Sequence, residues 1–196
     1  IGEDGICTED SPLNPISHYG ITKVNAEKEV LGVGGISLRL ATVFGSSMRM
    51  RMDLLVNEFV YKAMTDKYIT IFEKDFVRNY IHIRDVAHTF MFMLERYKQH
   101  SGNIFNVGLS EANLSKEKLV ELIKTYIPDF AITYSDYYQD PDKRNYIVSN
   151  EKLEKTGWVS IYSLEDGIEE LMKTLLCTNF RFKFKISKWF SFRLWQ

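Results

Sequence analysis

Cysteine is scarce in this 196-residue sequence: there are two, Cys7 and Cys177, far apart. Neither has a second Cys or a His at metal-ligand spacing, which argues against a zinc site or a disulfide framework and makes a reducing, cytoplasmic compartment the simplest setting. Four prolines and 11 glycines are too few for collagen or a low-complexity linker. Net charge is lacking too. Twenty-five basic side chains face 26 acidic ones, a formal charge of -1, so no overall field recruits nucleic acid. No apolar run approaches the roughly eighteen residues of a membrane span, and no basic-then-apolar leader opens the sequence.

What is present suits a folded domain, or the larger part of one: 45% of the residues are apolar and 26% charged, which excludes disorder. The charge is unevenly placed. Residues 178–196 hold Arg181, Lys183, Lys185, Lys188 and Arg193 and no acid, leaving 20 basic against 26 acidic residues elsewhere. Within that tail, Phe180-Arg-Phe-Lys-Phe-Lys-Ile186 alternates aromatic or apolar with basic residues. It could lie in an anionic membrane interface, stack on single-stranded nucleic acid, or form an added edge strand or an unnatural readthrough end. Nucleic acid is the least favoured partner, and peripheral membrane contact is a minority reading.

Ile1 to Pro15 read as loop, a long one for the start of a domain, which leads us to expect that the true N-terminus lies upstream. Ser17 then caps a helix to about Leu31, stopped by Gly32, Gly34 and Gly35. Ile36 to Phe44 is β-rich and nearly continuous in apolar character, as a strand covered on both faces would be. Asp53 is expected to cap a helix to about Thr65. Strands at Tyr68 to Phe72 and Asn79 to Ile83, a helix over Asp85 to Tyr97, a strand at Ile104 to Val107 and a Ser115-led helix ended by Pro128 follow. Strand-like Ala131 to Tyr134 and Tyr146 to Ser149, a short helix at Glu151 to Lys155 and a last one from Leu164 to about Leu176 complete an α/β pattern without repeats.

Tyr19 and Lys23 stand four apart at the start of the first helix and so project from one face. A phenol near pKa 10 is a poor base at neutral pH, and a neighbouring ammonium favours its anion. With 11 tyrosines and 16 lysines, one such pair is expected by chance. Its surroundings are more specific. Ser17-His-Tyr-Gly-Ile-Thr-Lys23, then Glu27, leads to Leu38-Arg-Leu-Ala-Thr-Val-Phe-Gly45. Next come Val77-Arg-Asn-Tyr-Ile-His-Ile-Arg-Asp-Val-Ala87, Gly102-Asn-Ile-Phe-Asn-Val-Gly108, Leu114-Ser115, and Thr156-Gly-Trp158 before Ser163-Leu-Glu-Asp-Gly167.

In that order these motifs resemble the extended short-chain dehydrogenase/reductase family of nucleotide-sugar epimerases and dehydratases, specifically the second half of such an enzyme. The resemblance implies the C-terminal part of a Rossmann-type doubly wound sheet plus a smaller α/β substrate domain. Residues 1–45 would be the remnant of the NAD-binding domain with the catalytic helix, 46–177 the substrate-binding region interleaved with the last Rossmann elements, and 178–196 the basic aromatic tail. It implies that Tyr19 takes the proton from the sugar 4-hydroxyl while NAD accepts hydride, and that Lys23 holds the nicotinamide ribose and lowers the tyrosine pKa. Arg78 would clamp the substrate diphosphate. Thr42 stands where relatives carry an Asn near the sugar nucleotide, Arg49 and Arg51 lie in the loop that approaches the nucleotide, and Asp142 matches a ribose-binding Asp whose partner arginine is absent.

The family's Ser or Thr and its glycine-rich turn do not occur in this sequence. We therefore expect the chain as given to bind NAD poorly. His18, His82, His88 and His100 share no spacing and read as ordinary helix, strand or loop histidines; no metal is expected. The expected whole is a cytoplasmic, NAD-dependent epimerase or dehydratase acting at C4 of a nucleotide-diphosphate sugar, commonly a homodimer in this family. The alternatives are a 4-keto-sugar reductase using NADPH, with NADP as its cofactor, or a non-catalytic remnant that binds a sugar nucleotide.

Overall fold

The computed structural model describes residues 5–135 and 145–177. Inside the stretch expected as loop, Ile6–Cys7 forms a short strand, β1, that pairs in parallel with β9 at Ile147–Val148. Helix α1, His18–Gly32, begins where Ser17 predicts: the Ser17 Oγ accepts the Gly20 N–H at 3.1 Å. The apolar run after it, expected as one strand, is two. Ser37–Leu40 (β2) pairs in parallel with β6 (Ile104–Val107), whereas Thr42–Phe44 (β3) pairs in parallel with β5 (Val77–His82). Ala41 lies at the changeover and donates its N–H to Val107 O at 2.9 Å. The run is also less covered than its apolar character implies: Leu40 is 43% exposed and only Phe44 is buried.

Helix α2 spans Leu55–Thr65 and has Leu54, not Asp53, at its cap. The Asp53 carboxylate accepts two hydrogen bonds from Arg51, at 2.7 and 2.6 Å, and is drawn away from the helix end. Strand β4 (Tyr68–Ile71) pairs in parallel with β8 (Ala131–Tyr134). After β5 come α3 (Ile83–Glu95), the short α4 (Tyr97–His100) and β6. The strand β7 (Asn113–Ser115) pairs antiparallel with β5, and Ser115 caps α5 (Lys116–Tyr126) through its Oγ and the Lys118 N–H. The single turn α6 (Glu151–Glu154) and α7 (Leu164–Cys177) close the described chain.

Strand β5 sorts its residues between two cores with the two-residue period of a strand. Tyr80 enters the first, where Val56, Phe59 and Val60 of α2 meet Leu119 and Ile123 of α5 and Ile168 and Leu171 of α7. Ile81 enters the second, with Val86 and Met93 of α3, Phe105 and Val107 of β6, Leu153 and Trp158. Burying a Val, Leu, Ile or Phe contributes about 1.5–3 kcal/mol, so the many contributors in each core fix the layers. Asn106 ties the edge together. Its Nδ2 donates to Cys7 O at 3.4 Å and to Ser149 O at 3.0 Å, and its backbone N–H donates to the Glu9 carboxylate at 2.8 Å.

Candidate functional site

Tyr19 and Lys23 meet as their spacing predicts, with the Lys23 Nζ 5.4 Å from the centre of the Tyr19 ring. Tyr19 is 69% exposed, and no residue of α1 is buried. The helix is attached one turn further along the same stripe. There the Glu27 carboxylate accepts from Arg39 Nε at 2.9 Å, from Arg39 Nη2 at 2.7 Å and from Ser37 Oγ at 2.9 Å. The Arg39 hydrogen bond is the main cause that holds the Glu27 carboxyl below its ordinary value, burial opposing it, and the same bond raises Arg39. Arg39 Nη1 also donates to Glu9 O at 3.1 Å, so this one side chain joins strand, helix and incoming loop.

Two of the five residues expected on the substrate side, Thr42 and Arg78, lie on the three-stranded sheet β3-β5-β7. Thr42 is in register with Tyr80, and Arg78, two positions from Tyr80 on the same face of β5, is in register with Leu114. The half-buried Arg78 guanidinium lies 5.8 Å from the Tyr146 ring centre and donates to Val77 O at 3.0 Å. Among the described residues it pairs with no carboxylate. Arg51 is committed to Asp53, and Arg49 is an exposed loop residue. Asp142 and residues 178–196 lie outside the described residues.

Where β3 ends, Gly45 has φ +116°, and a Cβ there would stand 2.7 Å from His82 Nε2. A side chain is thus excluded from the exit of the strand for two reasons, conformation and space. His82 is fully buried, in keeping with a strand histidine. Its Nδ1 accepts the Arg84 N–H at 3.3 Å, and its Nε2 faces Glu170 Oε2 at 3.7 Å without a hydrogen bond. Burial lowers its pKa, Glu170 and Asp85 partly opposing that shift and Arg84 adding to it. Beside it, an open groove of about 510 Å³ is lined by Arg84, Tyr162, Asp166, Glu170 and Lys173 among others. None of Tyr19, Lys23, Thr42 or Arg78 lines that groove.

The donors on α1 suit the nicotinamide-ribose end of a dinucleotide: an exposed phenol and an ammonium one turn apart. The glycines after α1 do not suit its diphosphate end. Gly34, at φ +78°, turns the chain from helix to strand, and its carbonyl accepts from Tyr97 Oη at 2.9 Å and Ser101 Oγ at 2.6 Å. A Cβ at Gly35 would lie 2.5 Å from Val30 Cγ1, so Gly35 serves close packing of that same turn. Among the described residues no cluster of three or more His, Cys, Asp or Glu could hold a metal, and no helix is long and apolar enough to cross a membrane.

Sequence reasoning singled out the Tyr-Lys pair and Arg78 but assigned no role to Glu27, Arg39 or Tyr146. For Glu27 a signal existed: Tyr19, Lys23 and Glu27 are spaced four and four. Arg39 and Tyr146 gave none, since each meets its partner across a different element.

A helix that feeds a parallel strand, with the remaining strands and helices alternating around it, is an α/β architecture of the Rossmann type. The chain belongs to the NAD dependent epimerase/dehydratase family, whose model matches residues 2–108. It is 32% identical over 183 residues to the dTDP-4-dehydro-6-deoxyglucose reductase of Escherichia coli, covering 87% of this chain and 56% of that protein. It is 28% identical over 171 residues to an Arabidopsis thaliana trifunctional UDP-glucose 4,6-dehydratase/UDP-4-keto-6-deoxy-D-glucose 3,5-epimerase/UDP-4-keto-L-rhamnose-reductase, covering 84% of this chain and 25% of that protein. Among solved structures, UDP-glucose 4-epimerase of Thermotoga maritima with UDP-glucose superimposes at a TM-score of 0.78 with 23% identity, over 88% of this chain and 58% of that one. The chain thus spans little more than half the length of the Escherichia coli relative, and a quarter of the plant one.

Proposed function

We propose that this chain carries the proton-transfer pair and the substrate-diphosphate clamp of an enzyme that works at C4 of a nucleotide-diphosphate sugar. The observation that carries the reading is the Tyr19–Lys23 pair, exposed on α1 with the ammonium 5.4 Å from the ring centre. Tyr19 accepts the proton of the sugar 4-hydroxyl as the C4 hydride leaves, and returns it when the ketone is reduced; Lys23 orients the phenol and holds the ribose of the cofactor. NAD, when bound, supplies the hydride acceptor. Arg78 pairs with the diphosphate, for which its planar fork is suited, and Tyr146 supports the guanidinium from the side. Thr42, one strand away, faces the sugar nucleotide. Arg49, Arg51 and Asp142 belong to the same substrate contact in this reading, Arg51 after release from Asp53.

A second reading keeps the site and reverses the direction: reduction of a 4-keto sugar by NADPH. It is favoured by the resemblance to the Escherichia coli reductase, at 32% identity. The cytoplasmic setting, the homodimer and the division at residues 45 and 177 are part of the proposal on family grounds. The test is calorimetric titration of the chain with UDP and dTDP. Arg78→Ala is expected to weaken binding of both by roughly ten- to a hundredfold, the loss of a charge-assisted contact, with the melting temperature nearly unchanged. Affinity within a factor of two of the parent overturns the assignment of Arg78.

A further inference from the structure

We infer that Glu27 and Arg39 form a positioning clamp that sets the rotation and axial placement of the Tyr19–Lys23 helix against the sheet. The catalytic meaning of the clamp rests on the function proposed above; its structural existence does not.

An amphipathic helix is normally oriented by an apolar stripe pressed into a core. Helix α1 has only a thin one: none of its 15 residues is fully buried, Tyr19 and Ile21 are exposed, and Val24 and Leu31 are partly covered on the side that also carries Glu27. Two half-covered apolar side chains leave the seating of α1 on β2 loosely defined. Polar contacts define it. The Glu27 side chain is 12% exposed and that of Arg39 22%, and they meet through two parallel hydrogen bonds of 2.9 and 2.7 Å, with Ser37 Oγ as a third donor to the carboxylate. A two-pronged contact fixes direction as well as distance, which a single lysine ammonium would not do.

The placement matters because Glu27 follows Lys23, and Lys23 follows Tyr19, by four residues each. Positions at this spacing share a helix face. Because the helix turns as one rigid unit, fixing Glu27 against Arg39 thereby fixes the azimuth of the other two, Lys23 standing about 40° and Tyr19 about 80° round from Glu27 towards solvent. Arg39 is itself immobilised from two sides. It stands in β2, in register with Asn106 of β6, and it donates to Glu9 O, while the Glu9 carboxylate accepts the Asn106 N–H. Incoming loop, helix and two strands thus converge on one guanidinium. Glu27 and Arg39 touch neither the phenol nor the ammonium they orient, so they are positioning residues.

The test uses the full chain with its two native cysteines changed to serine and nitroxide labels at Lys28→Cys on α1 and Lys98→Cys on α4, both exposed. Electron-electron double resonance reads the distance between them. A narrow distribution is expected in the parent. Glu27→Gln and Arg39→Gln should each broaden or shift it, with melting temperatures within a few degrees of the parent, and the double variant should be no broader than either single, since the two act as a unit. If Arg39→Gln does not fold, Arg39→Lys, which keeps the charge and loses the fork, carries the same expectation at smaller amplitude. A distribution as narrow as the parent's in either single variant overturns the clamp, and so does a double variant broader than both. UDP titrations of the same proteins separate the two claims: a parent that does not bind UDP strikes the proposed function and leaves the clamp standing.

Discussion

Helices α1 and α7 are nearly equal in length, 15 and 14 residues, and are held by opposite means. Helix α7 buries Leu164, Gly167, Ile168 and Leu171; a Cβ on Gly167 would lie 2.2 Å from Phe44 Cε2, so the helix backbone rests directly on that ring. Within this chain helix α1 buries no residue fully; Val24 and Leu31 are partly covered, and the Glu27–Arg39 pair fastens the same side. Packing of the first kind is insensitive to protons and salt and costly to breach. Attachment by one largely covered ion pair is directional, and it is released only where acid protonates a carboxyl that its partner holds low. Within this chain the body that presents Arg78 is held by its core, whereas the helix that presents Tyr19 is held in good part by one ion pair.

The contrast can be broken most forcefully at Leu171, which is fully buried. Leu171→Ala should cost about 2–5 kcal/mol in urea unfolding, with the melting temperature falling to match; a loss below about 1 kcal/mol would mean that α7 is not packed as described. A smaller effect comes from acid. The His82 pKa is lowered in the folded state by burial, so the neutral ring stabilises fully above the ordinary value of about 6.5, and that stability is lost as the pH falls towards the lowered folded value. The Glu27 carboxyl is also held low, so its contribution persists to a more acidic range, below about 4.3, before being lost. Unfolding free energy measured from pH 8 to 3 should therefore show two separate declines, the first removed by His82→Gln and the second, which Asp166 shares through its hydrogen bonds to Ser163, reduced by Glu27→Gln. The least effect is expected at Val30 on α1, 40% exposed. Val30→Ala should change stability by no more than about 0.5 kcal/mol in either direction, and a larger loss would show that its contact with the Gly35 turn carries part of the attachment of α1.

These differences explain what the sequence made legible. Helix ends with a side-chain signal, Ser17 and Ser115, fall where expected, because a hydroxyl accepting an N–H three residues on is a local event. The start of α2 was misplaced because the side chain that reads as its cap, Asp53, had a stronger local partner in Arg51. The split of Ile36 to Phe44 and the strands Ile6–Cys7 and Asn113–Ser115 were illegible for another reason: each is defined by a distant partner, and two or three residues carry no period. At the site the same rule holds. The Tyr19–Lys23 contact spans one helical turn and could be read from spacing, whereas Arg78 over Tyr146 needs two segments to fold together.

The pairing of β1 with β9 also has a consequence in time. Three of the strand pairs, β1–β9, β2–β6 and β4–β8, are parallel and join segments far apart in the chain. Closing such long loops must precede the gain from the contacts they make, so chains of this topology fold slowly. During synthesis Ile6 leaves the ribosome long before its partner Ile147. Until then the edge beside Asn106 stays open to other strands, and the nascent protein is at its most aggregation-prone.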